Sequence, residues 1–194
     1  DDLSGRSESS GKALPGNEVQ IRHPDTRELL GHGQKGEIVA KGVGVFSGYH
    51  NDAEKTGESF DNEGWFFSGD LGSIDKHGRV SFLGRLKDML KVGGENVASV
   101  EIEGYLATHP KIKLSAVVGL EDEKYGEVPV AYVELKPGEE ATEAEIINFC
   151  KGEIASFKIP KHIRFIQEWP MGATKILKYE LKERIEKEIA TRTN

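Results

Sequence analysis

The sequence predicts an α+β protein in two parts, the first mostly β and the second a mixture of strands and helices. Short alternating apolar and polar runs, separated by turn residues, dominate the chain up to about Arg85. Beyond that point, Val-rich runs are interspersed with stretches whose apolar residues recur every three or four positions, which is the period of an amphipathic helix. The boundary falls near Leu86–Lys87, so we expect domains at residues 1–86 and 87–194.

The first part is predicted to contain four strands and one short helix. "EVQIRH" and "GEIVAKG" are strands joined by the turn-rich "HPDTRELL", and residues 1–16 are polar and loose or extended. A short helix is expected over Asp52–Ser59, with Asn51 or Asp52 as its cap. "WFFSGD" and "GRVSFLGR" are then strands on either side of the turn "IDKHG".

The second part is predicted to alternate strands and helices. A strand or hairpin in "DMLKVGG" precedes the helix "SVEIEGYLATHP", for which Ser99 is a candidate N-cap and Pro110 a stop. "LSAVVGLE" and "VPVAYVELK" are strands, after which Thr142 and Glu145 form a capping box for the next helix. "HIRFIQEW" is a further strand, and the final helix begins near Tyr179.

Charge and cysteine content narrow the class of function. The 194 residues carry a net charge of −7, which argues against nucleic acid as a general partner because such proteins usually present a basic face. Cys150 is the only cysteine and lies on an apolar helix face, so we expect a core side chain in a reducing compartment.

No signal peptide and no apolar run near 18 residues occur, which predicts a cytoplasmic protein without a transmembrane segment. A start at Asp1 without Met fits either processing or a piece of a longer protein.

Two residues between Trp65 and Asn96 are candidates for binding a nucleotide. The carboxylate of Asp70 could accept two hydrogen bonds from a vicinal diol such as that of ribose, and the alternative is a turn-capping Asp. The guanidinium of Arg85 could bind phosphate or ribose oxygens, and the alternative is a surface Arg paired with Asp88.

A glycine pair and one lysine complete the candidates. Gly93 and Gly94 could let a thin ligand pass close to the backbone, and the alternative, a turn between a strand and a helix, is the more common use of such a pair. Lys175, in the loop "WPMGATKIL", could direct its charge at a carboxylate or phosphate, or be one of many surface lysines. The six His have no metal-ligand spacing, so no metal ligand is predicted. The residues alone therefore predict a surface that contacts an anion or a nucleotide.

Four motifs taken in order resemble a known superfamily. The patterns aromatic-x-x-[ST]-G-D, G-R-x-K-D, G-G-E-N-[IV] and E-I-E all occur in "GWFFSGDLGSIDKHGRVSFLGRLKDMLKVGGENVASVEIE". They resemble the core of the adenylate-forming enzymes, which include acyl-CoA synthetases, luciferases and peptide-synthetase adenylation domains. The resemblance covers about Gly11 to Ile185. "GGEN", "FCKGEIASFKIPKHIRFI" and "KILKYELKE" are most similar to medium- and long-chain fatty acyl-CoA ligases.

This resemblance implies a two-step reaction and a fold. ATP and a fatty acid would give an acyl-adenylate and pyrophosphate, and the thiolate of coenzyme A would then displace AMP. Mg²⁺ would be bound mainly by a part of such enzymes that precedes these motifs. Residues 1–86 would be a β-rich remnant of the distorted barrel subdomain of the large domain. Residues 87–194 would be the small mobile domain, with a β-hairpin and a central sheet flanked by helices.

The resemblance also implies roles for the motif residues. Asp70 would hold the ribose hydroxyls, Arg85 would contact ribose or phosphate oxygens, and Lys87 would be the hinge of the moving domain. Lys175 would be the adenylation lysine. Three further residues would lie near the acyl-adenylate or the pantetheine path in the thioester-forming state: Lys91, Gly93 and Gly94.

Two departures from the family pattern bear on activity. The last motif usually reads P-x-x-x-T-G-K, but here Thr174 stands where Gly is expected and the spacing from Pro170 to Lys175 is one residue short. The glycine-rich phosphate loop and the Y-G-x-T-E segment do not occur in these residues. We therefore expect the last third of a ligase, inactive in adenylation when isolated, whose exposed strand edges favour a homodimer. A ligase for an aryl or amino acid and a non-catalytic nucleotide-, CoA- or partner-binding module are the alternatives.

Overall fold

The computed structural model describes residues 9–193, which form two compact units that divide between Lys87 and Asp88. Two sheets and four α-helices occur in this part of the chain, so the predicted α+β class is confirmed. Of the predicted loose segment 1–16, residues 1–8 lie outside the described residues, and Gly11 forms an isolated antiparallel bridge with Val80. The roles expected for residues 1–86 and 87–194 stay predictions.

The first unit is built on a four-stranded antiparallel sheet with the order β1-β2-β3-β4. Its strands are β1 (Asn17–Arg22), β2 (Gly36–Gly42), β3 (Phe66–Ile74) and β4 (Val80–Arg85). Helix α1 (Ala53–Ser59) precedes β3, and the side chain of Asp52 caps it by accepting the Lys55 N–H at 3.0 Å. The predicted helix and four strands are therefore confirmed.

The second unit contains a five-stranded sheet in which β8 is central. The order is β6-β5-β8-β7, and β9 pairs in parallel with β8 while the other pairs are antiparallel. The strands are β5 (Met89–Val92), β6 (Glu95–Ala98), β7 (Ile112–Asp122), β8 (Gly126–Leu135) and β9 (His162–Phe165). The predicted hairpin in this region is completed by β6, which is short and begins with two polar residues, so alternation does not reveal it.

Helices cover both faces of this sheet. They are α2 (Ser99–Leu106), α3 (Glu143–Cys150) and α4 (Lys178–Thr193), and short 3-10 turns lie at Leu86–Asp88 and Ser156–Lys158. Val117 and Ala131 share a buried cluster with residues of α2 and α3, whereas Val118 and Val130 share one with Leu181 of α4. Because neighbouring strand residues point to opposite faces, strands buried on both sides become the continuous Val-rich runs seen in the sequence.

The helix caps follow the prediction at one position and depart from it at another. The Thr142 hydroxyl accepts the Glu145 N–H at 3.1 Å, as the capping box predicts. The prediction of Ser99 as an N-cap is wrong, since Ala98 holds that position and makes no side-chain cap bond. The Ser99 hydroxyl instead accepts a hydrogen bond from Lys178 Nζ at 2.7 Å.

Candidate functional site

Asp70 and Arg85 lie opposite each other on β3 and β4. They are register partners, and Arg85 Nε lies 2.7 Å from Asp70 Oδ1. The contact is a close ion pair rather than an aligned hydrogen bond, because the buried Oδ1 receives no donor at a hydrogen-bonding angle. Asp70 lies within a strand rather than capping a turn, and Arg85 is exposed, as its alternative held, but pairs with Asp70 rather than with Asp88. The Asp70 side chain is 25% exposed, so its carboxylate can still accept hydrogen bonds beside a cation.

A buried glutamate supports the backbone next to Asp70. Glu37 on β2 is only 7% exposed, and its Oε1 accepts the Gly69 N–H at 2.8 Å. The Ser68 hydroxyl donates to the Ile38 carbonyl at 2.6 Å, and the Asp70 N–H donates to Ser68 Oγ at 3.1 Å. Burial raises the pKa of Glu37, while the Gly69 N–H opposes that shift. Sequence reasoning missed Glu37, although an acidic residue inside "GEIVAKG" was a visible irregularity in an apolar strand.

Lys87 lies at the division of the two units. It is the last residue of the first unit and the middle residue of the 3-10 turn Leu86–Asp88, which connects β4 to β5. A single turn of chain therefore joins the two units at this point. Its role as a hinge stays a prediction.

The glycine pair forms the tip of the β5–β6 hairpin. Val92 and Glu95 are register partners, and Gly93 and Gly94 between them have φ values of +60° and +88°. A two-residue type I′ turn requires positive φ at both central positions, which favours glycine. The alternative of a turn between a strand and a helix is wrong, because a second strand follows. Lys91 on the same hairpin exposes its side chain and donates its backbone N–H to Glu127 Oε2 at 2.8 Å.

The loop that carries Lys175 is closed by backbone hydrogen bonds. The Gly172 N–H donates to the Lys175 carbonyl at 2.8 Å, and the Leu177 N–H donates to the Pro170 carbonyl at 2.8 Å. The Lys175 side chain is exposed and has no carboxylate within ion-pair distance among residues 9–193. The charge is therefore available to an anionic ligand, and the alternative of an ordinary surface lysine remains open.

The remaining predictions concern Cys150, metal ions and membranes. Cys150 is buried in the core as predicted, and burial raises the pKa of its thiol to about 11. Within residues 9–193, no cluster of three or more His, Cys, Asp or Glu side chains could hold a metal ion. In the same part of the chain, every helix is too short or too polar to cross a membrane. A cytoplasmic location stays a prediction.

Comparison with known proteins identifies the second unit. Residues 101–178 match the family model of the AMP-binding enzyme C-terminal domain. This segment is an AMP-binding enzyme C-terminal domain. The resemblance to the adenylate-forming enzymes is thereby confirmed, and the antiparallel hairpin and central sheet with their helices are the fold of that domain.

Individual relatives extend the similarity to both units. The medium-chain acyl-CoA ligase ACSF2, mitochondrial, of Danio rerio is 42% identical over 180 residues, which are 92% of this chain and 30% of that protein. The o-succinylbenzoate CoA synthetase MenE of Bacillus subtilis with its acyl-adenylate has a TM-score of 0.85 and 34% identity, covering 92% of this chain and 36% of MenE. ATP-bound MatB of Rhodopseudomonas palustris has a TM-score of 0.84 and 37% identity, covering 91% of this chain and 35% of MatB. The chain spans about a third of the length of the curated relatives it matches.

Proposed function

We propose that the chain is part of a fatty acyl-CoA ligase that forms an acyl-adenylate from ATP and then a thioester with coenzyme A. The observation that carries this proposal is the pair of Asp70 and Arg85, in a chain that also contains an AMP-binding enzyme C-terminal domain. The Asp70 carboxylate is 25% exposed, which suits the hydroxyls of a ribose, and the exposed guanidinium of Arg85 suits the neighbouring ribose or phosphate oxygens.

Lys175 is proposed to act in the adenylation step. A carboxylate that attacks the α-phosphate brings two anions together, so a cation between them stabilises the transition state. The exposed ammonium of Lys175, which has no ion-pair partner among the described residues and is held on a closed loop, has the charge for this task. The described residues offer no cluster for Mg²⁺, and we assign no step to that ion.

The hairpin and the hinge are proposed to act in the thioester step. Gly93 and Gly94 leave the hairpin tip free of side chains, which suits the passage of a narrow pantetheine arm beside Lys91. Rotation about Lys87 would exchange the groups that surround the acyl-adenylate between the two half-reactions. Both roles rest on the family pattern.

The acid is proposed to be a medium- or long-chain fatty acid. The name of the Danio rerio relative, a medium-chain acyl-CoA ligase, supports this choice. MenE, whose solved complex holds the adenylate of o-succinylbenzoate, is a comparably similar structure, so an aryl acid is the competing substrate. We keep the cytoplasm as the proposed location, against the mitochondrial location in the name of ACSF2. A homodimer stays a prediction.

ATP–pyrophosphate exchange tests the proposal. The assay uses a panel of fatty and aryl acids, on this chain and on the product of its gene read from the first in-frame start codon. We expect exchange in the longer product and none in this chain alone, with the fastest acid identifying the substrate. Exchange by neither protein would contradict the ligase. Robust exchange by this chain alone would contradict the expectation that it is inactive by itself.

A second candidate is a non-catalytic module that binds a nucleotide or coenzyme A. The observation in its favour is the loop of Lys175, which is one residue shorter than the family pattern and has Thr174 in place of Gly. Binding of AMP in calorimetry, together with no exchange for any acid, would support this candidate over the ligase.

A further inference from the structure

A partly buried ion pair lies directly after the loop of Lys175. Lys178 is the first residue of α4, three positions beyond Lys175, and its Nζ lies 2.7 Å from Glu103 Oε1. The same Nζ donates to the Ser99 hydroxyl at 2.7 Å. The side chains of Lys178 and Glu103 are 22% and 19% exposed, and Ser99 is buried. A charge withdrawn this far from water is costly unless its partners are fixed.

Glu103 is itself fixed to the central sheet. Its Oε1 also accepts the Val117 N–H of β7 at 2.7 Å. Glu103 lies on α2, one turn after Ser99, and neighbouring residues of α2 belong to the buried core. Lys178 is therefore attached to a carboxylate that the sheet and the helix hold in place from two sides.

The loop before Lys178 is closed at its base, and we call residues 176–178, which join it to α4, its stem. Met171 and Ile176 pair across it, and the hydrogen bond between Leu177 and Pro170 closes its base. A loop closed by so few hydrogen bonds opens and loses its orientation together when the point where it joins the helix is free to move. Lys178 is the residue at that point.

We propose that Glu103 and Lys178 are positioning residues that fix the orientation of the Lys175 loop through its stem. This inference rests on the proposed function for the role of Lys175, while the orientation of the loop is a property of this chain. Ser99 directly follows β6, so the same contacts also tie the stem to the base of the glycine hairpin. Neither Glu103 nor Lys178 is proposed to touch substrate.

A second lysine on α4 provides a matched control. Lys187 pairs with Glu183 one turn away at 3.5 Å, and their side chains are 78% and 58% exposed. K187M removes the same charge from the same helix without touching the loop, because both partners of this pair lie on the solvent face. A change seen in K178M but not in K187M therefore belongs to the contacts of Lys178.

Hydrogen exchange on this chain tests the positioning directly. The amides of Gly172 and Leu177 report the loop, and the amide of Val130 in the central strand reports global opening. We expect exchange at the loop amides to accelerate about tenfold or more in K178M and E103Q, while exchange of the Val130 amide stays unchanged. Exchange at the loop should be unchanged in K187M, and K178R should keep the loop protected. E103Q removes the charge that holds the Lys178 ammonium, while its amide oxygen can still accept the Val117 N–H, so it decides the matter if K178M fails to fold. Unchanged loop protection in E103Q would overturn the proposal.

Separate half-reactions test the consequence for catalysis in the longer gene product. We expect E103Q to slow ATP–pyrophosphate exchange about tenfold at saturating substrate, and to leave thioester formation from supplied acyl-adenylate and coenzyme A within about twofold. An equal loss in both half-reactions would overturn a positioning role for Lys175. If the unsubstituted protein shows no exchange, the proposed function fails, and the hydrogen-exchange result still decides whether the pair orients the loop.

Discussion

Asp70 and Arg85 are register partners on adjacent antiparallel strands, and a separation of 2.7 Å between Oδ1 and Nε pairs their charges without an aligned hydrogen bond. A carboxylate in this position is already oriented, yet it can still accept hydrogen bonds. Glu37 fixes the backbone before it through the Gly69 N–H, so Asp70 would not have to rearrange when a diol binds. Preorganisation of this kind lowers the cost of ordering a side chain on binding.

Replacing Asp70 by Ala should weaken AMP binding by about a hundredfold or more. Each hydrogen bond to a charged group contributes roughly 1.5–3 kcal/mol, and the substitution removes the acceptor of two such bonds. Isothermal titration calorimetry of the longer gene product measures the change. D25A removes an exposed carboxylate from the same unit and should leave the affinity unchanged. Equal affinities of D70A and D25A would contradict the assignment of the ribose to Asp70.

Two apolar residues of α2 should differ in how much they contribute to the stability of the second unit. Ile102 is 1% exposed and Val100, two residues earlier on α2, is 37% exposed. Ile102→Ala should lower the free energy of unfolding by about 2–5 kcal/mol through lost burial and a residual cavity. Val100→Ala should change it by no more than about 0.5 kcal/mol. Urea denaturation followed by circular dichroism measures both, and similar losses in the two variants would contradict the burial of Ile102.

Much of the fold could be predicted from local patterns. The Val-rich strands, the Thr142 cap and the final helix follow from apolar period and capping chemistry, which act over a few residues. β6 could not be predicted, because only its pairing with β5 makes a strand of its four residues. Ser99 was misassigned for a related reason: its hydroxyl binds a residue 79 positions away, and no local pattern contains Lys178.

The residues of the candidate site could be predicted from the sequence, but the residues that hold them in place could not. The motif residues were found by order and spacing, and the pairing of Asp70 with Arg85 follows from the antiparallel register of β3 and β4. Glu37, Glu103 and Lys178 were missed as supports, because each acts through a contact across strands or helices. An acidic residue at a strand or helix position was the only trace of Glu37 and Glu103 in the sequence, and Lys178 left none.

The buried His109 should make stability depend on pH in the weakly acidic range. Burial lowers the pKa of His109, and Lys111 and Lys136 lower it further while Glu145 opposes them. The folded state therefore resists a proton that the unfolded chain accepts near pH 6.5. Stability should be complete above about pH 7 and fall as the pH drops through about 6.5 toward the lower pKa of the folded state.

H109Q should flatten this decline because it removes the titrating ring. His162 also has a lowered pKa through burial, so a smaller decline should persist. Urea denaturation between about pH 7.5 and 5.5 measures the slope, with H77Q in an exposed turn as the control. The same slope in H109Q and the unsubstituted protein would contradict the assignment to His109.

The thiol of Cys150 should be inert in the folded protein and reactive in the unfolded one. Burial raises its pKa to about 11, so at about pH 8 only roughly one thiol in a thousand is the nucleophilic thiolate, and the core also excludes the reagent. Ellman's reagent should label the folded chain far more slowly than free glutathione, and guanidinium should bring the rate to that of an exposed cysteine. Because Cys150 is the only cysteine, C150S should give no signal in either state. Fast stoichiometric labelling of the folded chain would mean that α3 opens from the sheet, since the thiol belongs to the cluster that packs this helix.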